Sequence, residues 1–424
     1  MDNFTTREAW VALSLALGAR SRRLKPLLSH FHTPENVLLA QESELCSVLP
    51  DLGRGALSAL RFGVHAKEVR RILSYCDKAG VSVVTPHSAA YPASLFAIAE
   101  PPCVLYCLGT LPTPGRQPFV GVVGTRNVDE YGKRVAYKLS FELAAAGAVV
   151  VSGLAAGVDG IAAAAALDAG APTVAVIGCG IDRVYPRHHS RLFSEIAEFG
   201  AVISEYAPGT PPHARNFPTR NRLISALSEA VVVVEGDTES GALITARYAL
   251  LQGKELFAVP GDVDEPRSSG CNLLLRAGAN MALSAEDVLA HFRFLYRDAK
   301  GLTVPPEAMQ YAGLSEEKLR AHGIPSERPR EAAKPEGTTA RGAEKHAEAT
   351  ERAEAEAKAL TLDALDTLSD TERLIYEKIP DGPFVIDRLV GDGVAPRDAV
   401  AAMTLFEILG IVTALPGGTY QKSL

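Results

Sequence analysis

The chain is short of the features that mark membrane, secreted, metal-dependent and ATP-driven proteins. No apolar stretch among its 424 residues is long enough to span a bilayer; the longest are strand-like and broken by Gly or polar residues. The segment from Met1 to Ala9 carries Asp2 and Glu8 and has no basic stretch followed by an apolar one, which predicts no secretory signal and a cytoplasmic protein. Of 6 cysteines only Cys103 and Cys107 lie close together, and no second Cys or His pair sits near them at zinc spacing. Reduced, buried thiols and no metal are expected. A Walker A segment is missing, which argues against ATP hydrolysis. Positive charge is scarce too: 43 Lys and Arg stand against 50 Asp and Glu, for a net charge of -7. That weighs against nucleic-acid binding by bulk charge and leaves local Arg clusters as the way to hold phosphate.

What is present is a soluble composition, 47% hydrophobic and 22% charged, on a chain long enough for two or three domains. Residues 1–80 read as a small helical domain of the SAM or helix-hairpin-helix kind: Trp10 to Gly18 has apolar residues at helical spacing and stops at Gly, and Leu24, Leu27, Leu28 and Phe31 form another apolar face. Between 81 and 300, apolar β-branched runs alternate with helical stretches. The predicted strands are Phe119–Val123, Val149–Ser152, Thr173–Ile177, Ala201–Ser204, Ala230–Glu235 and Leu256–Val259; the intervening helices are Tyr131–Ala146, Val158–Ala169, Arg191–Phe199, Pro218–Leu227 and Gly241–Gln252. Repeated strand–helix–strand units predict an α/β domain, a Rossmann-like parallel sheet covered on both faces. Residues 301–360 read as a linker, its 326–358 stretch rich in Glu, Lys, Arg, Ala and Pro. Residues 361–424 regain apolar order from Leu368, and three helices ahead of a turn at Pro416-Gly-Gly-Thr-Tyr420 predict a winged helix.

Four strand ends carry residues suited to an anion. Gly121-Val-Val-Gly124-Thr125-Arg126 lets the backbone approach a phosphate, offers the N–H groups of the next helix, and aims Arg126 into the usual ligand crevice; a surface Arg in a tight turn is the plain alternative. Its Gly-x-x-Gly spacing, with no acidic ribose ligand, is not the dinucleotide fingerprint. In Ser152-Gly153-Leu-Ala-Ala-Gly157-Val-Asp159, Ser152 and Gly153 offer a hydroxyl and an N–H, while Asp159 is expected to cap the helix or order the loop. The third segment groups Arg215, Arg220 and Arg222 around Phe217 and Asn221; Arg neutralises phosphate and Phe217 can stack on a base. Arg220 and Arg222, two apart on a helix, cannot share a face, so one is expected to reach the ligand while the other pairs internally, with Glu205 or Glu235 for example. In Glu235-Gly-Asp-Thr-Glu-Ser240-Gly241-Ala-Leu-Ile-Thr245, the residues Ser240, Gly241 and Thr245 build a further anion nest, provided the acidic residues pair with the Arg cluster. His188, His189 and Ser190 read as a polar loop rather than a catalytic arrangement. Together the strand ends describe one crevice for a phosphate-containing ligand of unspecified length.

These residues, with Gly178-Cys-Gly180, Tyr185-Pro186, Ser204-Glu205-Tyr206, Phe217-Pro-x-Arg-Asn-Arg222, Thr245-Ala246 and Val259-Pro-Gly261, resemble the DNA-processing protein A family (DprA, also called Smf) across most of the chain. The resemblance implies cytoplasmic single-stranded DNA binders that dimerise through the Rossmann-like domain and hand DNA to the RecA recombinase in natural transformation, with no catalytic residues and no cofactor. It implies a DNA-contacting role for Arg126 and base stacking for Phe217, with Arg215 as the basic residue ahead of it. The chain departs from the family pattern at Ala156, where Arg is usual, within Ala162–Ala166, where a His is common, and at Ala226, where Gly is common. The predicted winged helix is acidic, with only Arg373, Lys378, Arg388, Arg397 and Lys422 against a larger acidic set that includes Asp370, Glu372 and Asp398. Duplex DNA should be repelled by it, which predicts a protein-contact or regulatory role. Two other readings compete: a nucleotide phosphoribohydrolase using a carboxylate near Glu235, and an adaptor that does not bind DNA.

Overall fold

The computed structural model describes residues 4–19, 22–50, 57–60, 66–296, 302–311, 313–325, 361, 365, 368–391, 393–415 and 418–423. Its centre is a 9-stranded sheet. The strands are β1 (Ser82–Val84), β2 (Leu105–Gly109), β3 (Phe119–Val123), β4 (Val149–Ser152), β5 (Thr173–Val176), β6 (Ala201–Ser204), β7 (Ala230–Val233), β8 (Glu255–Ala258) and β9 (Asn280–Met281). They lie in the order β1-β2-β6-β5-β4-β3-β7-β8-β9. Strands β3 to β9 pair in parallel, whereas β2 pairs antiparallel with both β6 and β1. The six parallel strands foreseen from their apolar runs form within two residues of the expected ends. The short strands β1, β2 and β9 were not foreseen.

Every residue of β3, β4, β5, β6 and β7 is buried, because helices cover both faces. Helices Glu130–Ala145, Val158–Asp168 and Ser190–Phe199 pack over Val120, Val122 and Val150. Helices Asn216–Leu227, Gly241–Leu251 and Ser269–Arg276 pack over Phe119, Val123 and Val151 on the other face. From β3 the chain steps outward through β4, β5 and β6, then returns along the helix Asn216–Leu227 to place β7 on the opposite side of β3. The winding direction reverses between β3 and β7, and at such a switch point the loops beyond the strand ends part to leave a crevice.

The N-terminal helices begin with Thr6–Leu17, which Thr5 and Glu8 close in a reciprocal cap. Their buried residues Trp10, Leu13, Leu24, Val37 and Val69 share one core with Cys103, Val104 and Tyr106 beside the sheet. The stretch 302–325 was expected to belong to the linker. Instead it carries helices Pro306–Tyr311 and Glu316–Ala321 and buries Leu302, Val304, Ala308, Leu319 and Ile324 against the sheet domain, because those apolar residues interrupt the polar composition. The polar stretch 326–358 lies outside the described residues. Toward the C-terminus, among the described residues, the helices Asp370–Glu377 and Pro396–Leu409 flank a 3-10 turn, Ile386–Leu389, where a helix was expected. The hairpin β10 (Val412–Leu415) with β11 (Thr419–Lys422) follows, and Phe384 bridges to Tyr420 beside it. Pro416 and Gly417 of the expected turn lie outside the described residues.

Candidate functional site

A crevice of about 500 Å³ opens at the switch point, lined by the loop after β3, the helix Asn216–Leu227 and the start of the helix Gly241–Leu251. Gly124 leaves β3 because nothing larger fits: a Cβ there would stand 2.5 Å from Val158 and 2.9 Å from the Glu235 carbonyl. The loop is then pinned on both sides. The Thr125 amide donates to the Glu235 carbonyl at 2.7 Å, and the Val158 amide donates to the Thr125 carbonyl at 3.3 Å. Arg126 emerges from this rigid turn with its side chain exposed.

The Arg126 guanidinium lies over the Phe217 ring, 5.3 Å from its centroid. Phe217 is half-buried on the first turn of the helix Asn216–Leu227, with its ring against Gly178, where a Cβ would come within 3.0 Å of it. The Asn216 side-chain amide fixes that turn by donating to the Gly178 carbonyl at 3.0 Å. Phe217 also meets Tyr185, with ring centroids 5.3 Å apart and planes tilted by 32°. Tyr185 is 41% exposed, and Arg183 and Arg187 on the same loop are exposed as well. Sequence reasoning did not place these three at the site. An aromatic set between two arginines just past a strand end was the available signal.

Several predicted ligands turn out to build the floor. The Ser152 hydroxyl donates to the Val122 carbonyl at 2.7 Å and is fully buried. The Gly153 amide donates to Asp159 at 3.0 Å, so Asp159 orders this loop as expected and takes the N–H assigned to a phosphate. Arg220 is 3% exposed, and its guanidinium donates to the Gly153 carbonyl at 2.6 Å and to the Val176 carbonyl. Burial lowers its pKa to about 10, with Asp159 opposing the shift, so it stays charged near neutral pH beneath the crevice. Arg222 points away, as its spacing from Arg220 demands. It is buried and bidentate to Glu205, with both N–O distances at 2.7 Å, and donates to the Glu100 carbonyl at 3.2 Å. Of the residues expected to touch a ligand, Ser152, Gly153 and Arg222 spend these donors on backbone or on an internal carboxylate, whereas Arg220 lines the crevice and also donates from Nε to the Asn221 side-chain oxygen at 3.2 Å.

At the opposite lip, Ser240 caps the helix Gly241–Leu251 by accepting from the Ala242 amide at 3.3 Å, and Asn221 donates to the Gly241 carbonyl at 3.2 Å. Thr245 lines the crevice but is 1% exposed. Asp237 and Glu239 stand exposed on this side. Among the described residues they make no ion pair with Arg126 or Arg215, so the condition set for an anion nest here is not met and the crevice is polarised, with Arg126 on one lip and carboxylates on the other; Arg215 is exposed at the start of the helix Asn216–Leu227. Glu235 is turned to the start of the helix Glu130–Ala145, where it accepts from the Asp129 amide at 3.3 Å; burial, with Asp129 adding to it, raises its pKa to about 7. Its nearest cation is Arg267, at 4.0 Å. His189 is buried, shares a hydrogen bond with the Leu154 carbonyl at 3.1 Å, and is held neutral by burial, its pKa lowered to about 4. Among the described residues no group of His, Cys, Asp and Glu could hold a metal ion, and no helix is long and apolar enough to cross a membrane.

Residues 82–293 match the family described as DNA recombination-mediator protein A. The chain is 32% identical over 420 residues to Protein Smf of Synechocystis, covering 97% of this chain and 98% of that one. It is 43% identical over 220 residues to DNA processing protein DprA of Bacillus subtilis, covering 51% of this chain and 73% of that one. Among solved structures, DNA processing protein A from Streptococcus pneumoniae superposes with a TM-score of 0.59 at 30% identity, covering 68% of this chain and 98% of that one.

Proposed function

This chain belongs to the DNA recombination-mediator protein A family, and from that membership and the form of its crevice we propose that it binds single-stranded DNA along the Arg126 lip. The observation that carries the reading is the Phe217 ring in contact with both the Arg126 guanidinium and the partly exposed Tyr185 at the switch-point crevice. A guanidinium beside two aromatic rings suits a phosphate followed by unstacked bases. A duplex keeps its base faces stacked and has nothing to offer the rings. The polarised lips give the path: Asp237 and Glu239 repel the backbone, which runs over Arg126 and Arg215 toward Arg183 and Arg187. Gly124 and Thr125 set the turn, Asn221 and Gly241 border the groove, and Arg220 adds buried positive charge without contact.

The chain acts without catalysis in this reading. Glu235, the carboxylate a phosphoribohydrolase would need, is engaged by the Asp129 amide, and Asp159 is buried and accepts from Gly153. The family's description as a recombination mediator supports a further role in passing the bound strand to a RecA-type recombinase in the cytoplasm, as a homodimer. Residues 81–325 form the DNA-binding unit, 1–80 a helical support, and 361–424 an acidic winged-helix-like module that contacts protein rather than duplex DNA.

The test is fluorescence anisotropy with labelled oligo-dT and a matching duplex, at roughly 50 and 200 mM salt, where phosphate contacts differ most in strength. Salt-sensitive single-strand binding, weaker duplex binding and a large loss in Arg126→Ala are expected. Equal affinity for both DNAs, or no binding at low salt, would overturn the proposal and bring the adaptor reading forward.

A further inference from the structure

The stretch 302–325 lies across the outer face of the sheet domain, far along the chain from the helices it touches. Its apolar residues Leu302, Val304, Ala308, Leu319 and Ile324 are buried there. One polar residue is buried with them. His322 reaches between two helices, with Nδ1 2.5 Å from Glu195 Oε2 and Nε2 3.0 Å from Asp168 Oδ1, and its side chain is only 12% exposed. We propose that His322 is a proton-operated latch that fastens this strap to the helices Val158–Asp168 and Ser190–Phe199.

Donor count fixes the protonation state of the ring. Both partners are carboxylate oxygens, which only accept. An imidazole that bonds both must carry hydrogen on both nitrogens, which is the imidazolium form; the neutral ring can satisfy one carboxylate and turns a lone pair on the other. The remaining oxygens are already in use. Tyr137 of the helix Glu130–Ala145 donates to Asp168 Oδ2 at 2.5 Å, and Arg191 donates to Glu195 Oε1 at 2.9 Å. On the strap, Lys318 lies over the Tyr137 ring at 5.1 Å and the Phe141 ring at 6.0 Å, while Arg320 pairs with Glu316. Two carboxylates thus face His322; Arg191 pairs with Glu195 on its other oxygen, and Lys318, over the aromatic rings and donating to the Gly313 carbonyl at 2.8 Å, adds positive charge near Asp168.

The hydrogen bonds to Asp168 and Glu195 raise the His322 pKa above its ordinary value of 6.5, against the opposing effect of burial. A group that holds its proton more tightly when folded stabilises the fold fully below its unfolded pKa and loses that contribution as pH rises through its folded pKa. The apolar contacts hold the strap at any pH. The latch adds an increment that disappears on going from mildly acidic to alkaline solution, so the strap opens more often there while the sheet does not.

Hydrogen exchange on the full chain, read by mass spectrometry at about pH 6 and about pH 8.5 and corrected for intrinsic exchange rates, separates strap peptides from sheet peptides. Relative to the sheet, strap protection is expected to fall on the order of tenfold at the higher pH, the scale of one charge-assisted hydrogen bond. His322→Gln should show the alkaline level at both pH values. Equal strap protection at the two pH values, or a pH response that survives His322→Gln, would overturn the proposal. A second readout needs no altered packing: an NMR titration of histidine-labelled wild-type protein should place the His322 midpoint above 6.5, and a midpoint at or below that value rejects the latch.

Discussion

Two arginines drawn from neighbouring motifs end in opposite roles, and the difference sets what each substitution should do. Arg126 is exposed on a turn whose backbone is fixed by Glu235 and Val158, so its removal leaves the fold intact. Arg126→Ala is expected to weaken oligo-dT binding by about tenfold and to reduce the slope of log affinity against log salt by about 0.7, the loss of one phosphate contact on a single strand. Phe217→Ala should cost about 1–3 kcal/mol of affinity and leave that slope unchanged, because stacking releases no counterions. If both variants change the slope equally, Phe217 is not a stacking surface. Arg222 makes the contrast. It is fully buried and bidentate to Glu205, so Arg222→Met strands a carboxylate in the interior and should destabilise the protein by about 3–5 kcal/mol in urea unfolding. Restoring neutrality with Glu205→Gln should recover part of that loss, which a purely steric role for Arg222 would not permit. The sequence announced the opposed directions of Arg220 and Arg222 through their spacing. It did not announce that both are internal, because whether a guanidinium finds carbonyls or solvent depends on how β4, β5 and the helix Asn216–Leu227 converge.

At the scale of elements, the parallel strands and their helices were legible because buried strands are uninterrupted apolar runs and the helices between them repeat at regular intervals. Strands β1 and β9 were not, since runs of three and two residues carry little periodicity and exist by pairing with β2 and β8; β2 lies ahead of the strand–helix alternation and exists by pairing antiparallel with β6. The strap 302–325 was hidden by the polar stretch after it, and its few apolar residues acquire meaning only against a distant helix. The helix Glu130–Ala145 shows how elements meet at a charge. Asp129 caps it by accepting from the Gly132 amide at 2.7 Å, and Glu235, arriving from β7, accepts from the Asp129 amide. Two carboxyl groups then share one helix start, and Glu235 titrates near 7, above its ordinary 4.5. A carboxyl group with a raised folded pKa stabilises the fold below its unfolded pKa and loses that contribution as pH rises through the folded value. Stability should therefore decline between about pH 4.5 and pH 7 on this account, and Glu235→Gln should flatten the decline and raise unfolding stability at about pH 8 by on the order of 2 kcal/mol. The same substitution should leave oligo-dT affinity near wild type. Loss of DNA binding would mean that Glu235 holds the Thr125–Arg126 turn through its charge rather than through its backbone carbonyl.

At the scale of the whole molecule the C-terminal module lies beside a crevice proposed to take an anionic strand. The module's core gathers Ile375, Phe384, Leu389, Met403, Phe406 and Ile411, with Leu250 and Leu251 of the sheet domain packed against it. Yet the helix Pro396–Leu409 also packs outward: Ile408 joins the core beside the helices Gly241–Leu251 and Ser269–Arg276, and Arg276 lies 3.5 Å from Glu407. A helix that entered a major groove would need one face free along its length. Here Pro396, Arg397, Val400 and Ala401 are exposed, but Thr404 and Ile408 further along are buried. The free half presents one Arg beside Asp398, within a module where acidic residues prevail. Charge and geometry agree that this helix is an internal docking surface. Its contact falls on the far half of the helix Gly241–Leu251, whose first turn borders the switch-point crevice, so the module backs one wall of that crevice. Two consequences separate this from a duplex-reading role. Removing residues 366–424 should uncover Leu250 and Leu251 and lower the melting temperature of the sheet domain by a few degrees, on the order of the 1–2 kcal/mol expected for partly buried apolar side chains. The same truncation should leave duplex affinity unchanged or slightly higher, because a repulsive module has been taken away. Calorimetry and anisotropy on the truncated chain measure both, and a truncated protein that melts like the full chain while losing duplex binding would assign the module to DNA after all.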